Sequence, residues 1–172
     1  MNIDKNSNLF KYISQAQKDL ILQGEYLVNK VIAEGKFIFF DYSFIVFPFA
    51  KAYEGFLKQI FLDVKFINRL DYISDHFRLG KVLSPNLVQK LGERSVFQKI
   101  SQTAGVEFAQ KIWQTWKIGR NQVFHYFPHN IKSLNFNEAK EIADKILETM
   151  NKAILELKIY RWQLKLHRHN AF

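Results

Sequence analysis

Arg120, Asn121 and His125 place a fixed cation, an amide and a titratable imidazole in one short stretch, Arg120-Asn121-Gln122-Val123-Phe124-His125. A guanidinium presents a planar fork of donors that matches a phosphate. An imidazole exchanges protons near neutral pH. Together the three suit the handling of a phosphate ester. On an ideal helix residues four apart are neighbours, so the spacing predicts that Asn121 and His125 share a face, with Arg120 swinging toward the same patch.

The element that must carry them reads as a helix. Ala109, Ile112, Trp113, Trp116, Val123 and Phe127 recur at helical spacing, predicting one helix from Gly105 up to Pro128, which stops it. Arg120 falls in the register of a core position. A guanidinium there is costly unless it is paired or faces a wet cleft. Trp113 and Trp116 read as core side chains. Tyr126 can stack on a base or pack the helix end. His125 and His129 are close in sequence, but a zinc site recruits three or four ligands, so neither a metal nor any other cofactor is expected.

A second candidate lies earlier. Asp41 or Ser43 is expected to cap a very apolar helix running to about Ile67, with Phe44, Phe47, Tyr53, Phe56, Leu57, Ile60, Phe61 and Val64 in its core face. Pro48 predicts either a start or a kink there. Lys51, Glu54, Lys58 and Lys65 form its polar stripe. Glu54 admits two readings, an exposed ion-pair ladder with Lys51 and Lys58 or a carboxylate serving a site. Lys51, Lys58 and His129 are candidate RNA contacts beside Tyr126.

Length and composition bound the rest. A chain of 172 residues suits one domain, here taken as residues 1–172. With 48% hydrophobic residues and 17 Phe it is globular, and 7 Gly and 3 Pro leave little for the turns of an all-β fold. No Cys is present, which excludes disulfides, thiolate catalysis and Cys-based zinc sites. The formal charge of +9 favours a polyanionic partner. The apolar run from Phe37 to Phe49 is broken by Asp41 and too short to span a bilayer. With a polar opening from Met1 to Asn8, a soluble cytoplasmic protein is expected.

The remaining pattern predicts an all-α bundle of about four long helices plus short ones. Leu9 to Glu34 reads as the first, with Leu9, Ile13, Ala16, Leu20, Leu27, Val28 and Val31 inward, Gly24 its weak point and Gly35 its stop. Ser84-Pro85 opens a short helix ending at Gly92, and another spans about Ser95 to Thr103. Asn135 or Asn137 caps a last helix to about Leu166, with Ile142, Ile146, Met150, Ile154, Leu157 and Leu164 inward. His167 and His169 follow in a basic tail.

These residues resemble the HEPN superfamily, helical bundles whose signature is Arg, a polar residue, three variable residues and His. Arg120-Asn121-Gln122-Val123-Phe124-His125 matches that pattern on a late helix followed by one more. The stretch Ser43 to Pro48, continuing as Ala52-Tyr53-Glu54-Gly55-Phe56-Leu57-Lys58, further resembles the HEPN domain of RNase LS-type toxins, in which a glutamate of an early helix joins the Arg and His. The resemblance implies a metal-independent endoribonuclease, the toxin of a toxin–antitoxin or phage-defence system. His125 would then act as general base or acid, Arg120 would stabilise the phosphorane oxygens, and Asn121 would orient the histidine or the phosphate. Glu54 would position Arg120 or share proton transfer. A homodimer and a neutralising antitoxin protein are the implied partners. The alternative is a non-catalytic HEPN module that binds RNA or a nucleotide beside a partner protein.

Overall fold

The computed structural model describes residues 1–35, 37–121 and 123–158, with the backbone alone at Asn121. All regular structure among these residues is helical. The α-helices are α1 (Asn8–Tyr12), α2 (Gln15–Glu34), α3 (Ser43–Asp63), α4 (Arg69–Ile73), α5 (Leu79–Val82), α6 (Val88–Leu91), α7 (Val96–Ala104), α8 (Val106–Trp116) and α9 (Phe136–Glu156). The chain is an all-α helical bundle.

The centre of the bundle is α3, where Ile45, Val46, Phe49, Ala52, Tyr53, Phe56, Leu57, Ile60 and Phe61 are all buried. An apolar run this dense cannot sit at a surface, so α2 and α9 cover it. Pro48 lies inside α3, which begins at Ser43 and continues past it. Two polar links fix the layers. The buried Tyr53 hydroxyl donates to the Ile112 carbonyl at 3.2 Å, joining α3 to α8. Thr149 donates to the Lys145 carbonyl at 2.8 Å. Its proton is thereby committed, so the buried Thr115 hydroxyl donates to Thr149 across the α8–α9 contact at 3.0 Å.

Several boundaries differ from the sequence expectation. The first helix is two. Ser14 and Gln17 form a capping box that starts α2 afresh, while Ile13 closes α1 in extended conformation. The inward stripe of α2 is consequently Gln17, Ile21, Gly24 and Val28, and Ala16 is exposed. Gly24 is a point of close approach, since a Cβ there would lie 2.4 Å from Phe49 Cε2. Gly35 closes α2 at φ 53°, Ser95 caps α7, and Asn135 caps α9 in a box with Glu138. The last helix ends at Glu156, with Leu157 as its cap. Leu164, His167 and His169 lie outside the described residues. Among the described residues, no helix is long and apolar enough to cross a membrane.

Asp41 does not cap α3; Tyr42 holds the cap position. Its carboxylate instead ties the helix entry to the segment before α9. It accepts from the Ser43 amide at 2.9 Å, Ser43 Oγ at 2.6 Å, Asn130 Nδ2 at 3.1 Å and the Leu134 amide at 3.2 Å. Tyr42 N–H donates to the Leu134 carbonyl at 2.9 Å alongside. Desolvation pushes the Asp41 pKa up, but the hydrogen bonds from Ser43, Asn130 and Leu134 outweigh it and hold the carboxyl below its usual value. The unfolded chain therefore takes up this proton first. The stabilisation is complete above the unfolded pKa of about 3.9 and is lost as pH falls through the lower folded value. Between neutral pH and strong acid, the urea midpoint of Asp41→Asn should fall less than that of the wild type.

Candidate active site

Glu54 and Arg120, distant in sequence, meet across the α3–α8 contact. The Arg120 Nε lies 3.4 Å from Glu54 Oε2, and both side chains are partly exposed. The ladder alternative for Glu54 is not adopted, since among the described residues its ion-pair partner is Arg120 and neither Lys51 nor Lys58. The guanidinium carbon sits 5.3 Å from the centre of the Trp116 ring, close enough for cation–π attraction. Arg120 is thus held by an aromatic face and a carboxylate. Among the described residues, no hydrogen bond occupies its Nη groups.

Local backbone geometry explains why Arg120 is not in the core. The α-helical part of α8 ends at Trp116, and Lys117–Asn121 continue as a single π turn. A π turn inserts an extra residue and advances the register. Gly119 becomes the buried residue, and Arg120 rotates outward. The inward position is a close approach, since a Cβ there would lie 3.0 Å from Ile146 Cδ1 on α9. The resolution anticipated for a guanidinium in a core register, a partner and a wet cleft, is met by this rotation.

The same turn overturns two expectations. The helix does not continue to Pro128. Among the described residues after the π turn, the Phe124 amide donates back to the Arg120 carbonyl at 3.0 Å, Val123 is a turn, Phe124 and His125 form a bend, and Tyr126 and Phe127 have no regular structure. Asn121 and His125 therefore do not share a helix face. Asn121 belongs to the π turn by its backbone, and its side chain lies outside the described residues. His125 is exposed on the bend, one residue past groove-lining Phe124, and no hydrogen bond joins its ring to Arg120 or Glu54.

A groove of about 150 Å³ opens at the pair, lined by Phe47, Ala50, Lys51, Glu54, Arg120 and Phe124. Lys51 is exposed at its wall, whereas Lys58 lies two turns further along α3, half-buried and outside it. Tyr126 is 79% exposed beyond the bend. His129 is exposed too, with φ 57°, and Asn130 follows at φ 52°. Among the described residues, no three His, Asp or Glu side chains gather as a metal-binding group, and His125 and His129 belong to none.

Two groove residues escaped the sequence reading. Phe47 was expected in the core of α3 yet is 47% exposed, and Phe124 is 43% exposed, their ring centres 5.2 Å apart. The signal was present in spacing: Phe47, Lys51, Glu54 and Lys58 succeed one another at steps of four, three and four, so Phe47 belongs to the polar stripe. No family model, curated protein or solved structure matches the chain. The site therefore rests on its own geometry and on the motif.

Proposed function

We propose that this protein is a metal-independent endoribonuclease of the HEPN kind, a cytoplasmic toxin of a toxin–antitoxin or phage-defence system. The observation that carries this reading is the Glu54–Arg120 pair, 3.4 Å apart in a solvent-open groove, with exposed His125 five residues further along the chain. Arg120 of the motif and the early glutamate are far apart in sequence, and their meeting supports a shared site.

The chemistry needs no bound water, because the substrate carries its own nucleophile. His125 accepts the proton of a ribose 2′-OH as that oxygen attacks the adjacent phosphorus. The P–O5′ bond breaks, the 5′-oxygen takes up a proton from solvent while the imidazolium later returns its own, and a 2′,3′-cyclic phosphate remains. Arg120 faces the phosphorane through its Nη groups, where charge develops. Glu54 acts as a positioning residue that sets the guanidinium against Trp116. The +9 charge aids capture of RNA through phosphate contacts. A homodimer pairing two sites and an antitoxin protein that occludes them complete the proposal.

A second reading has an observation of its own. The absence of any hydrogen bond from His125 to Arg120 or Glu54 favours a non-catalytic module that holds RNA or a nucleotide. Incubating purified protein with RNA in EDTA separates the two. Cleavage with cyclic-phosphate ends supports the nuclease, whereas salt-sensitive binding without turnover, equal in wild type and His125→Ala, supports the module.

A further inference from the structure

The groove at Arg120 has an aromatic wall that the cleavage chemistry leaves unused. Phe47 on α3 and Phe124 on the bend after the π turn contact each other at a tilt of 41°, and each leaves over two-fifths of its surface in water. Two exposed rings in contact beside a charged groove offer an apolar surface to a ligand held there. Its setting says which ligand. The guanidinium of Arg120 and the ammonium of Lys51 line the same groove, with Glu54 as its carboxylate. Its volume of about 150 Å³ is below the about 300 Å³ of a small-molecule pocket. That is room for one flat ring or one phosphate, with the rest of the ligand outside.

Resting on the nuclease reading, we propose that Phe47 and Phe124 form a base-stacking platform that fixes the nucleotide beside the scissile phosphate. The phosphate sits on Arg120 and Lys51, and the neighbouring base lies flat on the exposed phenyl faces. Every base has such a face, so the platform tolerates sequence while requiring an unpaired base. A duplex, whose bases are stacked on each other, cannot use it. The platform therefore sets a structural preference in the substrate, and it places the specificity at phenylalanines rather than at Tyr126, which projects beyond the groove.

The test uses Phe47→Leu and Phe124→Leu, which keep apolar bulk and remove the π face, with Phe47→Tyr and Phe124→Tyr as conservative rescues. Binding of a 2′-O-methyl single-stranded oligoribonucleotide, which cannot be cleaved, is followed by fluorescence anisotropy beside the same sequence as a duplex. The Leu variants should weaken single-strand binding by about 5- to 100-fold, raise KM on a cleavable strand by a similar factor, and leave duplex binding as it was. The Tyr variants should behave as wild type. Unchanged single-strand affinity in both Leu variants overturns the platform, as does an equal loss on the duplex. Leu variants that bind RNA normally but alter the sedimentation of the protein assign the aromatics to a protein contact instead. If wild type binds the strand through these rings but never cleaves, the nuclease reading falls and the platform stands. If wild type cleaves and the Leu variants match it, the platform falls alone.

Discussion

His125→Ala and Arg120→Ala should each lower RNA cleavage in EDTA by about 10²–10⁴-fold, the range of a lost proton-transfer or charge-stabilising group. Neither change should unfold the bundle. The Arg120–Glu54 pair is partly exposed, with 47% and 37% of the side chains in solvent, and pairs of that kind contribute only about 0–1 kcal/mol. His125 is exposed and makes no hydrogen bond among the described residues. Activity and melting temperature should therefore separate, with cleavage lost and the thermal midpoint within about 4 °C of wild type. Growth arrest on induction should follow cleavage, present for wild type and absent for both variants. Cleavage undiminished in both would refute the assignment. Glu54→Gln keeps the shape and removes the charge, and as a positioning residue it should shift kcat more than KM.

Gly24→Ala should destabilise the protein by about 1–3 kcal/mol, the cost of overpacking. Helix propensity alone argues the reverse, since Ala in a helix interior is favoured over Gly by about 1 kcal/mol. Tertiary contact decides the sign. The new Cβ would lie 2.4 Å from Phe49 Cε2, 2.5 Å from Cζ and 2.9 Å from Cδ2, and Phe49 is fully buried. The ring has nowhere to go unless α2 and α3 part. A urea titration should show a lower midpoint for Gly24→Ala, and Phe49→Leu should partly relieve the penalty in the double variant. A stabilised Gly24→Ala protein would mean that the two helices are less closely packed than described.

The caps made much of this fold legible. Gly35, Ser95 and Asn135 each mark an end that local chemistry determines, and each stands where that chemistry places it, whereas Ser84 makes no cap hydrogen bond and the stretch after it is a 3-10 turn followed by α6, which ends at Gly92. Periodicity misled where a cap interrupts an apolar stripe, as at Ser14, whose box with Gln17 divides what reads as one helix. Gly24 looked like a weak point because a glycine's value at a crossing is visible only once its neighbour is known. The site was half legible. Glu54 and Arg120 follow from residue type and the motif. The π turn does not, because a 3.6-residue repeat carries no mark of one inserted residue, and the close approach of Gly119 to Ile146 on α9 is visible only in the folded chain. That turn also displaced His125 from the face that a 3.6-residue repeat assigns it. Phe47 was assigned to the core by its hydrophobicity, although its spacing from Lys51 and Glu54 pointed outward.

The Asp41 cluster has a consequence for how the motif segment responds to a ligand. Upstream, the Thr115–Thr149 contact anchors the chain before Arg120, and downstream Asn130 and Leu134 are fastened to Asp41. The stretch bearing His125 is a tethered arc rather than a dangling arm. Both ends are already held, so a bound polyanion meets no loop-closure cost and orders only the residues of the arc itself, which lets the imidazole be recruited without melting either anchor.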